Sequence, residues 1–285
     1  MNTSILLFAL FISAEAQDTT VIKEERVYKK VDGYELKTDI FYTASVHKND
    51  RNPAIALFHG GGWVFGDRKE FFGACERYAR KGFITFSFQY RLSINPDGSY
   101  PKPGITPVES VKDARSAIRW IRENAGTLKI DPDKVVAGGQ SAGGQLALAT
   151  ALMDTINEAS DNLRFSPVPD ALLLYSSNVN TMEAWVDMLL GDRREMIWAI
   201  SPYHNLRKNM PPVIGFRGLA DCTVLPYIVD LFKKRMDELG NYFDLNSYAG
   251  RSHYLAEGNE KYANYFDEEI MEKTDAFLKK FGFMR

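Results

Sequence analysis

Short runs that are apolar at nearly every position recur along this chain: residues 54–58 (AIALF), 83–88 (FITFSF), 135–137 (VVA), 171–175 (ALLLY) and 213–216 (VIGF). A strand with one wet face alternates apolar and polar residues, so runs like these must be covered on both faces, as in a largely parallel sheet. The segments between them repeat at helical spacing. Residues 107–124 place Val108, Val111, Ala114, Ile118 and Ile121 three and four apart, and residues 70–81 stop at Gly82 as a helix does at a terminal glycine. Further helices are expected over 145–153, 225–239 and 259–281, with a last strand at 243–248. Near the start, residues 26–31 and 34–41 flank Asp32-Gly33, a pair suited to the positive-φ positions of a tight hairpin turn. Strand alternating with helix predicts an α/β fold: a mostly parallel central sheet with helices on both faces, in a single domain over 17–285.

The first sixteen residues read differently. An uncharged apolar run over 5–12 leads into Ala14-Glu15-Ala16, the small-x-small pattern of signal-peptidase cleavage, so residues 1–16 are expected to be a signal peptide cut before Gln17. The competing reading is an uncleaved anchor, for which the run is too short to span a bilayer. A secreted or periplasmic protein with no membrane span after cleavage is expected. The balance of 35 basic and 37 acidic residues, without a long basic run, gives no footprint for nucleic acid. The only two cysteines, Cys75 and Cys222, stand far apart, and the sequence leaves their pairing open. No close set of His and Cys has metal-ligand spacing, so no metal or other cofactor is expected.

The chemistry concentrates at Gly139-Gln140-Ser141-Ala142-Gly143, which fits G-x-S-x-G. It follows the 135–137 strand and opens the 145–153 helix, the strand, sharp turn and helix that project a nucleophilic serine above a sheet. Directly after the AIALF strand comes His59-Gly60-Gly61-Gly62-Trp63. In an α/β-hydrolase the backbone amides of that loop, with the residue after the nucleophile, receive the oxyanion, so Gly61, Gly62 and Ala142 are the expected donors. His59 is expected to order its own loop.

HGGGW with Gly66-Asp67, then Tyr90-Arg91-Leu92, then GQSAGG resemble the α/β-hydrolase esterases of the hormone-sensitive-lipase-like and feruloyl or acetyl-xylan esterase type, over roughly residues 50–285. Ser201-Pro202, Pro211-Pro212, Gly218-Leu219-Ala220-Asp221 and Gly250-Arg251-Ser252-His253 follow in that family's order. The fold runs nucleophile, acid, histidine, with both partners after late strands. Of the four histidines only His204 and His253 lie beyond Ser141, and only His253 follows the 243–248 strand. Asp221 follows the VIGF strand and precedes a helix, where it could otherwise be an N-cap. The expected triad is Ser141, Asp221 and His253. The chain departs from the family pattern at Arg217 before Gly218, at Cys222 after Asp221, and at Ser252 and Tyr254 around His253, which makes Tyr254 and Arg251 candidates for substrate contact. Asp113 and Glu109 are expected to be solvated or to anchor a loop.

These residues imply two-step acyl transfer on a short-chain or carbohydrate-linked (acetyl or feruloyl) ester, small or attached to polysaccharide. A serine peptidase or amidase could use the same groups, and a non-catalytic binding protein is the reading from another class. Residues 177–212 carry Trp185, Met188, Met196 and Trp198, too many apolar side chains for a solvated loop. They either form a small helical cap or complete the core.

Overall fold

A computed structural model describes residues 19–256 and 267–284. The expected signal peptide and the first part of the expected 259–281 helix lie outside the described residues. Strands β1 (Val21–Val31) and β2 (Tyr34–Thr43) form the expected hairpin, with Asp32 at φ 49°. β1 starts earlier than its apolar pattern suggested. It is an edge strand, and the charged stretch Lys23-Glu24-Glu25-Arg26 that hid it pairs with its neighbour instead, Glu25 with Lys37 at 2.7 Å and Lys23 with Asp39 at 3.1 Å.

The sheet has eight strands in the order β1-β2-β4-β3-β5-β6-β7-β8. β3 (Asn52–Phe58) lies between β4 (Ile84–Phe88) and β5 (Ile130–Gln140), and β6 (Ala171–Tyr175), β7 (Val213–Gly218) and β8 (Phe243–Tyr248) follow. β1, β2 and β4 pair antiparallel; every pairing from β4 onward is parallel. β5 is much longer than the VVA core predicted. Its start is the polar Asp131-Pro132-Asp133-Lys134, and its end, Gly138-Gly139-Gln140, lacks β-formers yet pairs in register with β6.

The helices are α1 (Phe72–Arg80), α2 (Pro107–Glu123), α3 (Ala125–Leu128), α4 (Ala142–Leu152), α5 (Ala184–Leu190), α6 (Met196–Ala199), α7 (Pro226–Glu238) and α8 (Glu268–Lys280). Alternate residues of one strand serve opposite faces. Ala54, Ala56 and Phe58 pack with α2, α4 and α7, while Ile55 and Leu57 pack with α1 and α8. Two covered faces explain why the central runs of β3, β4, β6 and β7 are apolar at nearly every position. α4 begins three residues before its apolar pattern, because Gly143 and Gly144 mask its first turn. Cys75 is on the buried face of α1 and Cys222 is exposed; both are free thiols. Burial pushes the Cys75 thiol up to about 12.

Asp113 is fully buried, not solvated, and its anchoring role is extensive. Its carboxylate accepts from Lys29 Nζ on β1 (2.7 Å), from Arg91 Nε and Nη2 (2.9 and 2.8 Å) and from the Arg91 backbone amide (2.9 Å). Glu158, after α4, takes the same two cations at 3.1 and 2.8 Å. Burial opposes the Arg91 charge, but Asp113 and Glu158 outweigh it and hold the guanidinium above its ordinary range. This cluster ties the hairpin, the segment after β4, α2 and the segment after α4 together. Removing one partner strands the others in a dry interior. Asp113→Asn is therefore expected to lower unfolding free energy by about 3–5 kcal/mol in a urea titration, whereas Lys30→Ala, which breaks an exposed pair with Glu35, leaves the midpoint unchanged.

Candidate active site

The ends of β3, β5, β7 and β8 converge at the carboxyl edge of the sheet, where open α/β sheets bind their ligands. Ser141 sits between β5 and α4 at φ 52° and ψ −118°, a backbone region costing about 1–3 kcal/mol for a residue with a side chain. The turn is held from both sides. Ser141 N donates to Tyr175 O (3.0 Å), and Ser141 O accepts from Gln145 N (3.1 Å) and Asn178 N (3.0 Å). The flanking glycines are steric necessities: a Cβ at Gly143 would stand 2.0 Å from Phe58 O, and one at Gly139 would stand 2.4 Å from the Gly143 carbonyl.

Asp221 and His253 are brought together as the sequence predicted. Asp221 Oδ2 accepts from His253 Nδ1 at 2.8 Å, and Oδ1 accepts from the amides of Thr223 and Val224 at 2.8 Å each. Those amides precede α7, so Asp221 organises its own turn rather than capping the helix. The Asp221 side chain is 1% exposed and that of His253 11%, so their bond is shielded from water while one edge of the imidazole remains reachable. At His253 Nε2 the hydrogen bond comes from Gln140 Nε2 (3.1 Å) rather than from Ser141.

The glycine loop is braced on three sides. His59 Nδ1 bonds Gly60 O (2.7 Å), and its ring stacks on Tyr90, whose hydroxyl donates to His59 O (2.9 Å). Burial pushes the His59 imidazole down to about 4, so it is neutral at physiological pH and suited to ordering the loop. Trp185 Nε1 donates to Gly62 O (3.1 Å) and Trp63 Nε1 to Gln145 Oε1 (3.2 Å). Gly61 takes φ 113° with its Cβ position 2.0 Å from Phe65 O, which leaves only hydrogen on that side.

Gly61, Gly62, Ser141 and His253 line one cleft of about 610 Å³ with Phe65, Glu70, Asn178, Glu183, Trp185 and Tyr254 among its other walls. Ala142 is the buried first residue of α4, directly after the serine. Tyr254 lines the cleft as anticipated, but Arg251 does not. Its guanidinium pairs with Asp267 and lies 4.4 Å from the centre of the Tyr248 ring. His204 bonds Ser201 Oγ (2.8 Å), away from the cleft lining. Sequence reasoning missed Gln140, Glu70 and Glu183. Burial pushes the carboxyls of Glu70 and Glu183 up from the ordinary range. Only Gln140 carried a signal, as the variable position of the G-x-S-x-G motif. Within 177–212, Val186, Leu189 and Leu190 are buried in the core, Trp185 faces the cleft, and Met188 and Trp198 are exposed. Among the described residues no group of His, Cys, Asp and Glu could hold a metal ion.

Residues 38–236 match the BD-FAE family, well over half of the chain. The chain belongs to the BD-FAE family. The BD-FAE match includes Gly61, Gly62, Ser141, Ala142 and Asp221 and ends before His253. Esterase 2 of Thermogutta terrifontis, solved with propionate bound, is 33% identical with a TM-score of 0.81, covering 92% of this chain and 95% of that one. The same esterase phosphorylated by paraoxon is 32% identical with a TM-score of 0.81, covering 92% and 95%. An arylesterase of Saccharolobus solfataricus is 34% identical over 171 residues, 59% of this chain and 52% of that protein. The chain thus spans about half the length of this curated relative, and the aligned solved esterases give it the α/β-hydrolase fold. For this BD-FAE protein, Gly143→Ala is expected to cost about 3 kcal/mol or more and to reduce the yield of folded protein. Gly73→Ala in α1, where a Cβ meets nothing within 4 Å, should be neutral or stabilise by up to about 1 kcal/mol. Parallel thermal melts of the two variants check the contrast.

Proposed function

We propose that this BD-FAE protein is a carboxylesterase-type serine hydrolase in which Ser141 is the nucleophile, His253 the general base and Asp221 the group that orients the base. The observation that carries this reading is the single cleft on which a strained, glycine-flanked serine, the exposed edge of an Asp-anchored imidazole and a braced glycine loop all open. His253 accepts the hydroxyl proton as Ser141 Oγ attacks the ester carbonyl, and then returns it to the leaving alcohol. Water repeats the cycle on the acyl-enzyme. The amides of Gly61, Gly62 and Ala142 receive the oxyanion, each such donor contributing roughly 3 kcal/mol of transition-state stabilisation.

The substrate reading is a short-chain ester, acetyl or feruloyl groups on carbohydrate included, with residues 1–16 directing export toward extracellular polymers. It is supported by the family match and by the propionate held by the Thermogutta terrifontis esterase. Aromatic walls from Phe65, Trp185 and Tyr254 offer flat surfaces to an acyl chain or a ring.

Ser141→Ala is expected to lower kcat about a millionfold, and Asp221→Asn about ten-thousandfold, because the neutral amide no longer selects the tautomer with its lone pair on Nε2. Steady-state hydrolysis of p-nitrophenyl acetate measures both; Ser141→Ala within tenfold of the parent would overturn the assignment. The base works only when neutral, so kcat/KM should decline as acid protonates the imidazole. In a panel of acetyl, butyryl, octanoyl and feruloyl esters with acetylated xylan, the short acyl esters should be cleaved fastest, and an aminoacyl anilide should react far more slowly. A preference for the anilide would instead mark a peptidase or amidase.

A further inference from the structure

Gln140 precedes the nucleophile, and nothing in the elbow requires its side chain, yet the residue is only 2% exposed. The carboxamide lies across Gly60, where a Cβ would stand 1.8 Å from Gln140 Oε1 and 3.0 Å from Cδ. It is confined there, and Gln140 Nε2 rests 3.1 Å from His253 Nε2. Two facts fix the chemistry of that contact. The carboxylate of Asp221 only accepts, so Nδ1 of the neutral ring carries the proton and Nε2 carries a lone pair. Facing a lone pair, the carboxamide must present its N–H; the opposite orientation would oppose two acceptors. This lone pair is also the one that must take the proton of Ser141, and it accepts one strong hydrogen bond at a time.

We infer that Gln140 is a positioning residue that competes with Ser141 for Nε2 of His253, holding the resting imidazole on the carboxamide and leaving the serine-engaged form in the minority. The inference rests on the nucleophile and base assigned above. A neutral hydrogen bond of ordinary net strength biases such an equilibrium by about 2- to 13-fold, and the rate of serine attack falls by the same factor as the competent fraction.

Gln140→Met keeps the length of the side chain and removes the donor; Gln140→Glu replaces the donor with an acceptor. Reaction with paraoxon reads the serine directly: the Ser141 Oγ–P bond forms as the bond to p-nitrophenolate breaks, and the hydroxyl proton passes to His253 Nε2. Gln140→Met is expected to release stoichiometric p-nitrophenolate about 2- to 13-fold faster than the parent. Gln140→Glu is expected to move the acid limb of its kcat/KM profile for p-nitrophenyl acetate to higher pH than the parent's, because a carboxylate favours the imidazolium. A folded Gln140→Met protein, with a parent-like thermal transition, that reacts no faster than the parent overturns the inference. If Gln140→Met does not fold, an unshifted acid limb in Gln140→Glu overturns it. Stoichiometric release by Ser141→Ala would sink the nucleophile assignment itself, an outcome distinct from either Gln140 result.

Discussion

The close passage of the first turn of α4 beneath the end of β3 is the constraint on which the site depends. With hydrogen alone at Gly143, the helix start sits against the carbonyl of Phe58, and the glycine loop leaves β3 at the next residue. The serine turn and the loop that faces it are thereby fixed by one contact between the start of α4 and the end of β3. Any side chain at that crossing would separate them, whatever the remaining sequence did. The strained backbone of Ser141 persists because bonds to Tyr175, Gln145 and Asn178 over-determine it from three elements.

Around this crossing the structure uses two kinds of support. Apolar contact on both sheet faces supplies the bulk, and buried polar groups supply position. Lys29, Arg91, Asp113 and Glu158 anchor the antiparallel hairpin to α2 and to the segment after α4, so the edge of the sheet opposite β8 is locked by charge. At the other side, the Asp221 turn is held by its own amide bonds on one carboxylate oxygen, and the other oxygen meets the imidazole. Each such group would be costly alone and is tolerated because its partners complete it.

Much of this was legible in the residues. Uniformly apolar runs marked the buried strands, and the order of Ser141, Asp221 and His253 after β5, β7 and β8 located the triad candidates. What the sequence hid has physical reasons. The start of β1 is an edge whose charged residues are satisfied by partners on β2, so it carries no apolar period. The polar start of β5 and the glycine-rich start of α4 obey contact geometry rather than propensity. Asp113 reads as an ordinary polar residue on a helix, because its partners come from segments up to 84 residues away. Glu70 and Glu183 became visible as cleft residues only once the chain was folded, since nothing in their local pattern distinguishes them from surface positions, and Gln140 was marked only by its place in the serine motif, which does not say where its side chain goes.

The Trp185 indole does two things at once: its face walls the cleft, and its N–H holds the carbonyl of Gly62. The shape of the cleft and the rigidity of the glycine loop therefore share one side chain. A lineage that widened the cleft by shortening this residue would loosen the loop in the same step, so broader substrate range and turnover would be expected to drift in opposite directions until another donor reached Gly62.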